Sequence, residues 1–193
     1  HFRAKPSELL GRLLSQSVTV ESNYNTMAQD LKVVRKQKHD EYLSKIPFSD
    51  FKAFEIVLPA LPDNSQLQIS NSSAIRYAQL FDINPSIEVF CNRGTSGIDG
   101  STSTAIGAAV ASGKETIMLT GDISFLYDSN ALWNNYIPSH FRIIVINNQG
   151  GGIFRILPGH KNTENFDRFF ETNHNLTAEH LCNMYGFEYA KVS

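Results

Sequence analysis

The sequence has few cysteines, no surplus of charge and no long apolar run, and each absence excludes a class of protein. Its two cysteines, Cys91 and Cys182, have no metal-type spacing, and the apolar stretch around Cys91 predicts a buried thiol rather than a nucleophile. The net charge of −2 gives no electrostatic basis for binding nucleic acid or an anionic membrane. No signal peptide and no apolar run of bilayer-spanning length occurs, so we expect a cytoplasmic protein without stable membrane insertion.

The common nucleotide-binding and hydrolase motifs are also missing. The loop at 94–100 spells G-x-x-G-x-x-G rather than the G-x-G-x-x-G dinucleotide fingerprint. Residues 107–114 exceed the phosphate-loop spacing by one residue, and Lys114 precedes Glu115 rather than a Ser or Thr. Neither H-E-x-x-H nor G-x-S-x-G is present. If the chain binds a phosphorylated ligand, it must do so with a different constellation.

From residue 66 onward the sequence alternates apolar strand-like runs with helical stretches. Strands are predicted at 67–70, 88–91, 116–120, 142–146 and 188–192. Helices are predicted at 73–81, at 101–112, after Asp122 and near 177–185. This alternation predicts an α/β fold, doubly wound around a mostly parallel sheet that is flanked by helices.

The first 65 residues lack this regularity. They predict a short helix near 6–14, a small β-like segment at 18–20 and a charged connector helix over 24–46; a further helix after Ser49 frays at Pro59 and Pro62. We therefore assign 1–46 to the tail of a preceding domain with a connector helix, and 47–193 to one domain. The first residue is His1 and the last lies just after a predicted strand, so we expect a piece of a longer polypeptide, truncated at its C-terminus.

Polar residues and glycines follow two of the predicted strands. Asp122 follows the strand at 116–120, and Asn148 and Gly150 follow the strand at 142–146. The carboxyl ends of parallel strands meet at the edge of the sheet where ligands bind. A carboxylate, an amide oxygen and a backbone carbonyl suit Mg²⁺ that carries a phosphorylated ligand. Taken singly, the Asp is explained as a helix cap and the Asn as a turn residue; together, beside three glycines, they favour a metal site.

The sequence motifs that follow these two strands resemble those of a known family. The pattern of Gly121-Asp122, about 25 residues and then Asn147-Asn148 is similar to the signature of thiamine-diphosphate enzymes. Ile123 stands where that signature commonly has glycine. This departure, with SFLYDSNALW and NNQGGGIFRILPG, resembles the menaquinone-pathway synthases that join 2-oxoglutarate to isochorismate. The stretches CNRGTSGIDGSTSTAIGAA (91–109) and NSSAIR (71–76) match the same family. The resemblance covers at least 66–160, whereas 1–65 match only loosely.

The resemblance implies a thiamine-diphosphate-binding fold, of which this chain would be the diphosphate-binding domain. It implies that Mg²⁺, or Mn²⁺, is held by the side chains of Asp122 and Asn148 and by the Gly150 carbonyl. The implied cofactor-binding set comprises Ile98, Gly121, Asp122, Ser124, Asn148, Gly150 and Ile153, with Ile98 propping the bent cofactor. The implied substrate-binding set comprises Ser72, Arg76, Arg93, Phe154 and Leu157.

The chemistry of the substrate set agrees with its implied role, because both substrates are dianions and guanidiniums bind carboxylates in a bidentate manner. Without the resemblance, Arg76 would be interpreted as a solvated helix residue and Arg93 as a loop cation. Ile98 and Leu157 would likewise be interpreted as core residues.

The resemblance also implies an activity and what this chain lacks for it. The whole protein would be a transferase that decarboxylates 2-oxoglutarate and adds the succinyl-semialdehyde carbanion to isochorismate, as a homodimer or homotetramer. The activating glutamate would lie on the pyrimidine-binding domain of a neighbouring subunit, since Glu8, Glu21, Glu41 and Glu55 lie outside any recognisable motif. We therefore assign no catalytic residue here and expect the chain alone to be inactive.

Two alternatives remain at this stage. One is a different thiamine-diphosphate enzyme, of the acetolactate synthase or oxo-acid decarboxylase type, against which Ile123 and the loop RGTSGIDG argue. The other is a cofactor-binding module without chemistry.

Overall fold

The computed structural model describes residues 3, 5–16, 21–159 and 163–193, and the chain divides into two units, His1–Ile46 and Pro47–Ser193. The first unit contains helices α1 (Pro6–Ser15) and α2 (Tyr24–Leu43). The β-like segment predicted at 18–20 lies outside the described residues. The assignment of 1–46 to the tail of a preceding domain stays a prediction.

A parallel sheet forms the centre of the second unit, as the alternating pattern predicts. Its strands are β1 (Gln66–Ile69), β2 (Glu88–Cys91), β3 (Thr116–Gly121) and β4 (Phe141–Ile146), in the order β2-β1-β3-β4. All three pairings are parallel; Leu67 lies opposite Val89 on one side and Ile117 on the other. Because the order reverses direction between β1 and β3, the loops that follow these two strands diverge and leave a crevice at their carboxyl ends.

Helices connect the strands and close the unit. Those of the second unit are α3 (Asp50–Val57), α4 (Ser73–Ala78), α5 (Ser101–Ser112), α6 (Asp122–Tyr127), α7 (Ile153–Ile156) and α8 (Glu179–Tyr185). Short 3₁₀ turns at Leu58–Ala60 and Ser129–Trp133 extend α3 and α6, and a π-helical turn spans Phe166–Glu171. None of the helices in the described part of the chain has both the length and the apolar character needed to cross a bilayer.

Two apolar clusters cover the two faces of the sheet, as a doubly wound fold requires. Leu67 and Leu119 pack on one face with Phe54 of α3 and Ile75 of α4, among others. Met118 packs on the opposite face, in a cluster with side chains from α5 and α6 and from the turn after α6. Residues 143–146 of β4 contribute alternately to the two clusters, which explains why this part of the strand has no polar side chain on either face.

Two predicted elements differ in the structure. The strand predicted at 188–192 is wrong: this segment pairs with no strand among the described residues, and Val192 is 84% exposed. Its apolar alternation is typical of a strand, but a strand also needs a neighbouring backbone to complete the ladder. The helix predicted at 73–81 ends at Ala78, and the polar stretch 158–176 contains the π-helical turn that the sequence pattern did not predict.

Candidate functional site

A cavity of about 620 Å³ opens at the carboxyl ends of β1, β3 and β4. Every residue of the two predicted sets lines it, although these residues come from five separate loops and helix starts. The lining members are Ser72, Arg76, Arg93, Ile98, Gly121, Asp122, Ser124, Asn148, Gly150, Ile153, Phe154 and Leu157. The sheet topology thus brings together residues that are up to 85 positions apart, from 72 to 157.

Asp122 is the first residue of α6, directly after β3, and its carboxylate is buried. Its Oδ1 accepts the Ile123 N–H at 2.7 Å, and its Oδ2 accepts the Gly150 N–H at 3.0 Å. Burial raises the pKa of Asp122, while these backbone donors and the nearby His174 oppose the rise. A bound cation would favour the charged form in the same way and more strongly.

His174 lies behind this carboxylate. Its Nε2 is 3.3 Å from Oδ2 of Asp122, at an angle that makes no hydrogen bond, and its Nδ1 accepts the Leu176 N–H at 3.1 Å. A neutral ring in this arrangement carries its proton on Nε2, the atom that faces the carboxylate.

Asn148 follows β4 with its two amide atoms in different surroundings. Nδ2 donates to Oδ2 of Asp50 at 2.6 Å. Oδ1 is buried and has no hydrogen-bond partner among the described residues. A buried acceptor without a partner is unfavourable by about 1–3 kcal/mol, so such atoms commonly have a ligand or ion as their partner.

The glycines after Asn148 allow backbone contacts that a side chain would block. The Gly151 N–H donates to the Glu171 carbonyl at 2.6 Å, and a Cβ on Gly150 would lie 2.8 Å from that same oxygen. A Cβ on Gly152 would lie 2.8 Å from Nδ2 of Asn148. Glycine is therefore required here for close approach.

The donors at this end of the cavity fit a hard divalent cation. They are the carboxylate of Asp122, the unpartnered amide oxygen of Asn148 and the Gly150 carbonyl, all oxygens of the kind that Mg²⁺ prefers. Within the described ranges no group of three or more His, Cys, Asp or Glu side chains that could hold a metal ion is found, here or elsewhere. That Asp122, Asn148 and the Gly150 carbonyl hold a metal stays a prediction.

The loop at 92–100 is held in the cavity lining by hydrogen bonds from two places, the segment just after β1 and helix α6. The Asn71 amide donates to the carbonyls of Asn92 at 2.7 Å and Gly97 at 2.6 Å. The Ser124 hydroxyl donates to the Ile98 carbonyl at 2.5 Å. These contacts hold Ile98 in the cavity wall, and they tie its position to the helix that begins at Asp122.

Two guanidiniums line the cavity without a carboxylate partner. Arg76 lies on α4 and Arg93 on the loop after β2, and neither forms a salt bridge within the described part of the chain. The one hydrogen bond described for these side chains joins Arg93 Nη1 to the Asn71 amide oxygen at 3.4 Å. Positive charge that is not compensated by the protein is available for an anionic ligand.

Unusual backbone conformations concentrate around the same cavity. Five described non-glycine residues have positive φ, and Ser72 (70°), Ser96 (59°) and Thr172 (55°) among them line the cavity. A fourth, Gln149 (66°), lies between Asn148 and Gly150. Strained residues cluster at functional sites, where the surrounding structure holds them in place.

Sequence reasoning missed part of the lining. Asp50, Tyr127 and the segment Phe169–Thr172 all contribute to the cavity, and His174 lies behind Asp122. The available signal was the phenylalanine cluster FDRFF inside a polar stretch: Phe170 packs edge-on against Phe154 with ring centroids 5.8 Å apart. Asp50 gave no signal, because its contact with Asn148 joins positions 98 residues apart.

The fold and the site define a cofactor-binding domain, and comparison with known families agrees. The family model described as "Thiamine pyrophosphate enzyme, C-terminal TPP binding domain" matches residues 71–193, and the chain belongs to this family. The chain is 68% identical over its whole length to a protein named 2-succinyl-5-enolpyruvyl-6-hydroxy-3-cyclohexene-1-carboxylate synthase from Flavobacterium psychrophilum. It is 64% identical, again over its whole length, to the protein of that name from Flavobacterium johnsoniae.

More distant comparisons are consistent. A protein of the same name from Bacteroides fragilis is 47% identical over 77% of this chain and 27% of that protein. The solved structure of benzoylformate decarboxylase from Polynucleobacter necessarius aligns with a TM-score of 0.56 and 17% identity, over 77% of this chain and 29% of that one, which supports the fold alone. The chain spans 35% of the length of the two Flavobacterium relatives.

Proposed function

We propose that this chain is the diphosphate- and metal-binding part of a 2-succinyl-5-enolpyruvyl-6-hydroxy-3-cyclohexene-1-carboxylate synthase. The whole enzyme would decarboxylate 2-oxoglutarate and add the remaining four-carbon unit to isochorismate. The observation that carries the proposal is a single cavity lined by all twelve predicted residues, with an unpartnered Asn148 oxygen among the metal donors. Identity of 68% and 64%, over the whole of this chain and 35% of each relative, to two proteins of that name supports it.

In this proposal Asp122, Asn148 and the Gly150 carbonyl hold Mg²⁺, or Mn²⁺, against the diphosphate of the cofactor. Asp122 brings the negative charge, and its hydrogen bond from the Gly150 N–H keeps the two βα loops in register. Because the Asn148 oxygen has no partner among the residues that the structure describes, binding the cation breaks none of the hydrogen bonds seen there.

Four further lining residues are assigned to the cofactor. Gly121 and Ser124, close to Asp122 in the sequence, would lie near the diphosphate, while Ile98 and Ile153 would supply apolar contact to the rings. When bound, thiamine diphosphate supplies the electron sink that makes decarboxylation and carbon–carbon bond formation accessible. The chain's own contribution is to bind the diphosphate, fix its orientation and present the rings to the substrate side of the cavity.

Substrate recognition is assigned to five other residues that line the cavity. Arg76 and Arg93 would bind the carboxylates of the dianionic substrates, with the Ser72 hydroxyl as a further donor. Phe154 and Leu157 would form the apolar side of the substrate pocket.

The chain contains no residue to which we assign proton transfer. The activating glutamate would come from a pyrimidine-binding domain of a neighbouring subunit in a cytoplasmic homodimer or homotetramer. The chain by itself is therefore expected to be inactive: mixed with both substrates, Mg²⁺ and thiamine diphosphate, it should give no product. Product formation by the chain alone would refute this part of the proposal.

Calorimetry on the full-length protein tests the metal assignment. Asp122→Ala and Asn148→Ala should each raise the apparent Kd for thiamine diphosphate with Mg²⁺ by roughly 100-fold or more, because each removes a direct ligand and loss of a mere orienting group already costs 10–100-fold. Asp82→Ala, an exposed aspartate away from the cavity, is the matched control and should bind like the wild type. Wild-type affinity in Asp122→Ala would overturn the assignment.

A substrate comparison tests the activity. The full-length protein should consume 2-oxoglutarate in the presence of isochorismate and should not use pyruvate in its place. Preferred turnover of pyruvate would favour an acetolactate synthase or an oxo-acid decarboxylase instead.

A further inference from the structure

Asp50 contacts the amide of Asn148 from an element outside the region that the family model matches. It is the first residue of α3, and its Oδ2 lies 2.6 Å from Nδ2 of Asn148. A carboxylate is an acceptor only, so it selects the nitrogen end of a carboxamide and rejects the oxygen end. The contact therefore determines which way the amide of Asn148 faces.

The other side of the amide nitrogen is closed by Gly152. A Cβ at position 152 would lie 2.8 Å from Nδ2, so the nitrogen fits between the Asp50 carboxylate and a bare backbone. With the nitrogen held there, Oδ1 is left buried and unpartnered among the described residues, in a cavity that Asp122 and Gly150 also line. A rotated amide would offer a cation its NH2 group, which is a donor and repels a cation, in place of the oxygen.

Asp50 is itself held in place by its helix. Ser49 caps α3, its hydroxyl accepting the Lys52 N–H at 3.4 Å. Phe54, one turn further on, is 1% exposed and packs edge-on against Tyr77 with ring centroids 5.5 Å apart. The carboxylate thus projects into the cavity from an anchored helix start, not from a free loop.

We propose that Asp50 is a positioning residue for metal binding: it fixes the carboxamide of Asn148 so that Oδ1, and not Nδ2, faces the cation. The proposal rests on the proposed function, since it assumes that Asn148 is a metal ligand. It adds a residue whose effect on the cation is exerted through Asn148. A charged acceptor strengthens such a hydrogen bond relative to a neutral one.

The test measures Mg²⁺ affinity of the full-length protein by calorimetry at saturating thiamine diphosphate. Asp50→Ala removes the acceptor and should raise the apparent Kd for Mg²⁺ by roughly 10–100-fold, the range typical of residues that orient metal ligands. Asp50→Asn keeps an acceptor oxygen for Nδ2 but adds an NH2 donor from which a rotated Oδ1 can accept, so its apparent Kd should fall between those of the wild type and Asp50→Ala. At saturating Mg²⁺, kcat of Asp50→Ala should approach that of the wild type, while the Mg²⁺ concentration for half-activation rises.

Ser49→Ala is the matched control for a merely structural effect. It removes the cap of the same helix, at a cost of about 1 kcal/mol in stability, and leaves the Asp50 carboxylate in place. It should bind Mg²⁺ like the wild type. A loss in Ser49→Ala equal to that in Asp50→Ala would overturn the proposal, as would wild-type affinity in Asp50→Ala or equal losses in Asp50→Asn and Asp50→Ala.

Failure of the positioning role and failure of the proposed function give different results. If Asn148→Ala loses Mg²⁺ binding and Asp50→Ala does not, only the role of Asp50 is wrong. If Asn148→Ala binds Mg²⁺ like the wild type, the metal site itself is wrong and the role of Asp50 is refuted with it.

Discussion

Arg155 and Glu171 form an ion pair that joins α7 to the π-helical turn beside the cavity. The Glu171 side chain is 8% exposed, whereas that of Arg155 is 47% exposed. The Glu171 backbone also accepts the Gly151 N–H. Glu171 therefore holds the glycine-rich loop through its backbone carbonyl and α7 through its carboxylate. These contacts fix the part of the cavity lining that contains Phe170.

Removing the positive charge of Arg155 should destabilise the domain. Arg155→Met leaves the buried Glu171 carboxylate without its partner, and the free energy of unfolding should fall by about 1–3 kcal/mol. Urea denaturation measures the change. Lys114→Met is the matched control, because it breaks an exposed pair with Glu88 and should cost less than about 1 kcal/mol. Equal losses in the two variants would contradict the stabilising role given to the buried pair.

Adding one methyl group at Gly152 should weaken metal binding. The new Cβ of Gly152→Ala would displace the Asn148 amide, whose nitrogen cannot move freely because Asp50 holds it. We expect the apparent Kd for Mg²⁺ to rise by roughly tenfold or more, measured by calorimetry with thiamine diphosphate present.

Gly107→Ala provides the control for this substitution. Gly107 lies in the middle of α5, and a Cβ there would meet no heavy atom within 4 Å. This change should leave the affinity for Mg²⁺ unaltered and should raise helix stability by roughly 0.5–1 kcal/mol. A loss of affinity in both variants would show that the effect at Gly152 is not local.

Backbone strain at Ser72 should give different stabilities to Ser72→Gly and Ser72→Ala, although both substitutions remove the hydroxyl. With φ 70° and ψ −131°, Ser72 adopts a conformation that glycine tolerates and alanine does not. The free energy of unfolding of Ser72→Gly should exceed that of Ser72→Ala by about 1 kcal/mol, as measured by chemical denaturation. Both variants should show a raised KM for the dianionic substrates if the hydroxyl binds a carboxylate. Equal stability of the two would indicate that the residue is not strained.

The two thiols should be unreactive at neutral pH. Burial raises the pKa of Cys91, opposed in part by the positive charge of Arg93, and burial also raises the pKa of Cys182. Since the thiolate is the reactive form, alkylation by iodoacetamide at pH 7 should be several-fold slower than for free cysteine, and the rate should rise as the pH approaches the raised pKa. The same protein unfolded in urea should react at the ordinary rate. Fast alkylation of folded Cys91 at pH 7 would contradict the predicted pKa shift.

The sheet was predictable because its information is local. The runs at 67–70, 88–91, 116–120 and 142–146 are each rich in apolar residues, and strands with helices on both faces of the sheet favour that composition. The prediction at 188–192 failed for a non-local reason. Alternating apolar residues indicate that a segment can form a strand, but whether another strand lies beside it depends on the rest of the fold.

The residues of the cavity likewise divide into those that local sequence predicts and those that depend on long-range contacts. Asp122, Asn148 and Gly150 were predictable, because each follows a strand and parallel topology brings strand ends together. Asp50 and His174 were not, because they reach Asn148 and Asp122 from a helix start and from a polar stretch whose folded course depends on tertiary packing. The orientation of an amide group is a further quantity that no sequence pattern contains.

The hydrogen bond between Asp50 and Asn148 also has a consequence for the order in which the molecule assembles. Since it spans 98 residues, it forms only after β1, β3 and β4 have come together in the sheet, and contacts of such long range form late and slowly. During synthesis, a ribosome-bound chain that has not yet emerged beyond residue 148 lacks this hydrogen bond and the Asn148 donor. If the cation binds to Asn148 as proposed, it meets the oriented amide only after this contact across 98 residues has formed.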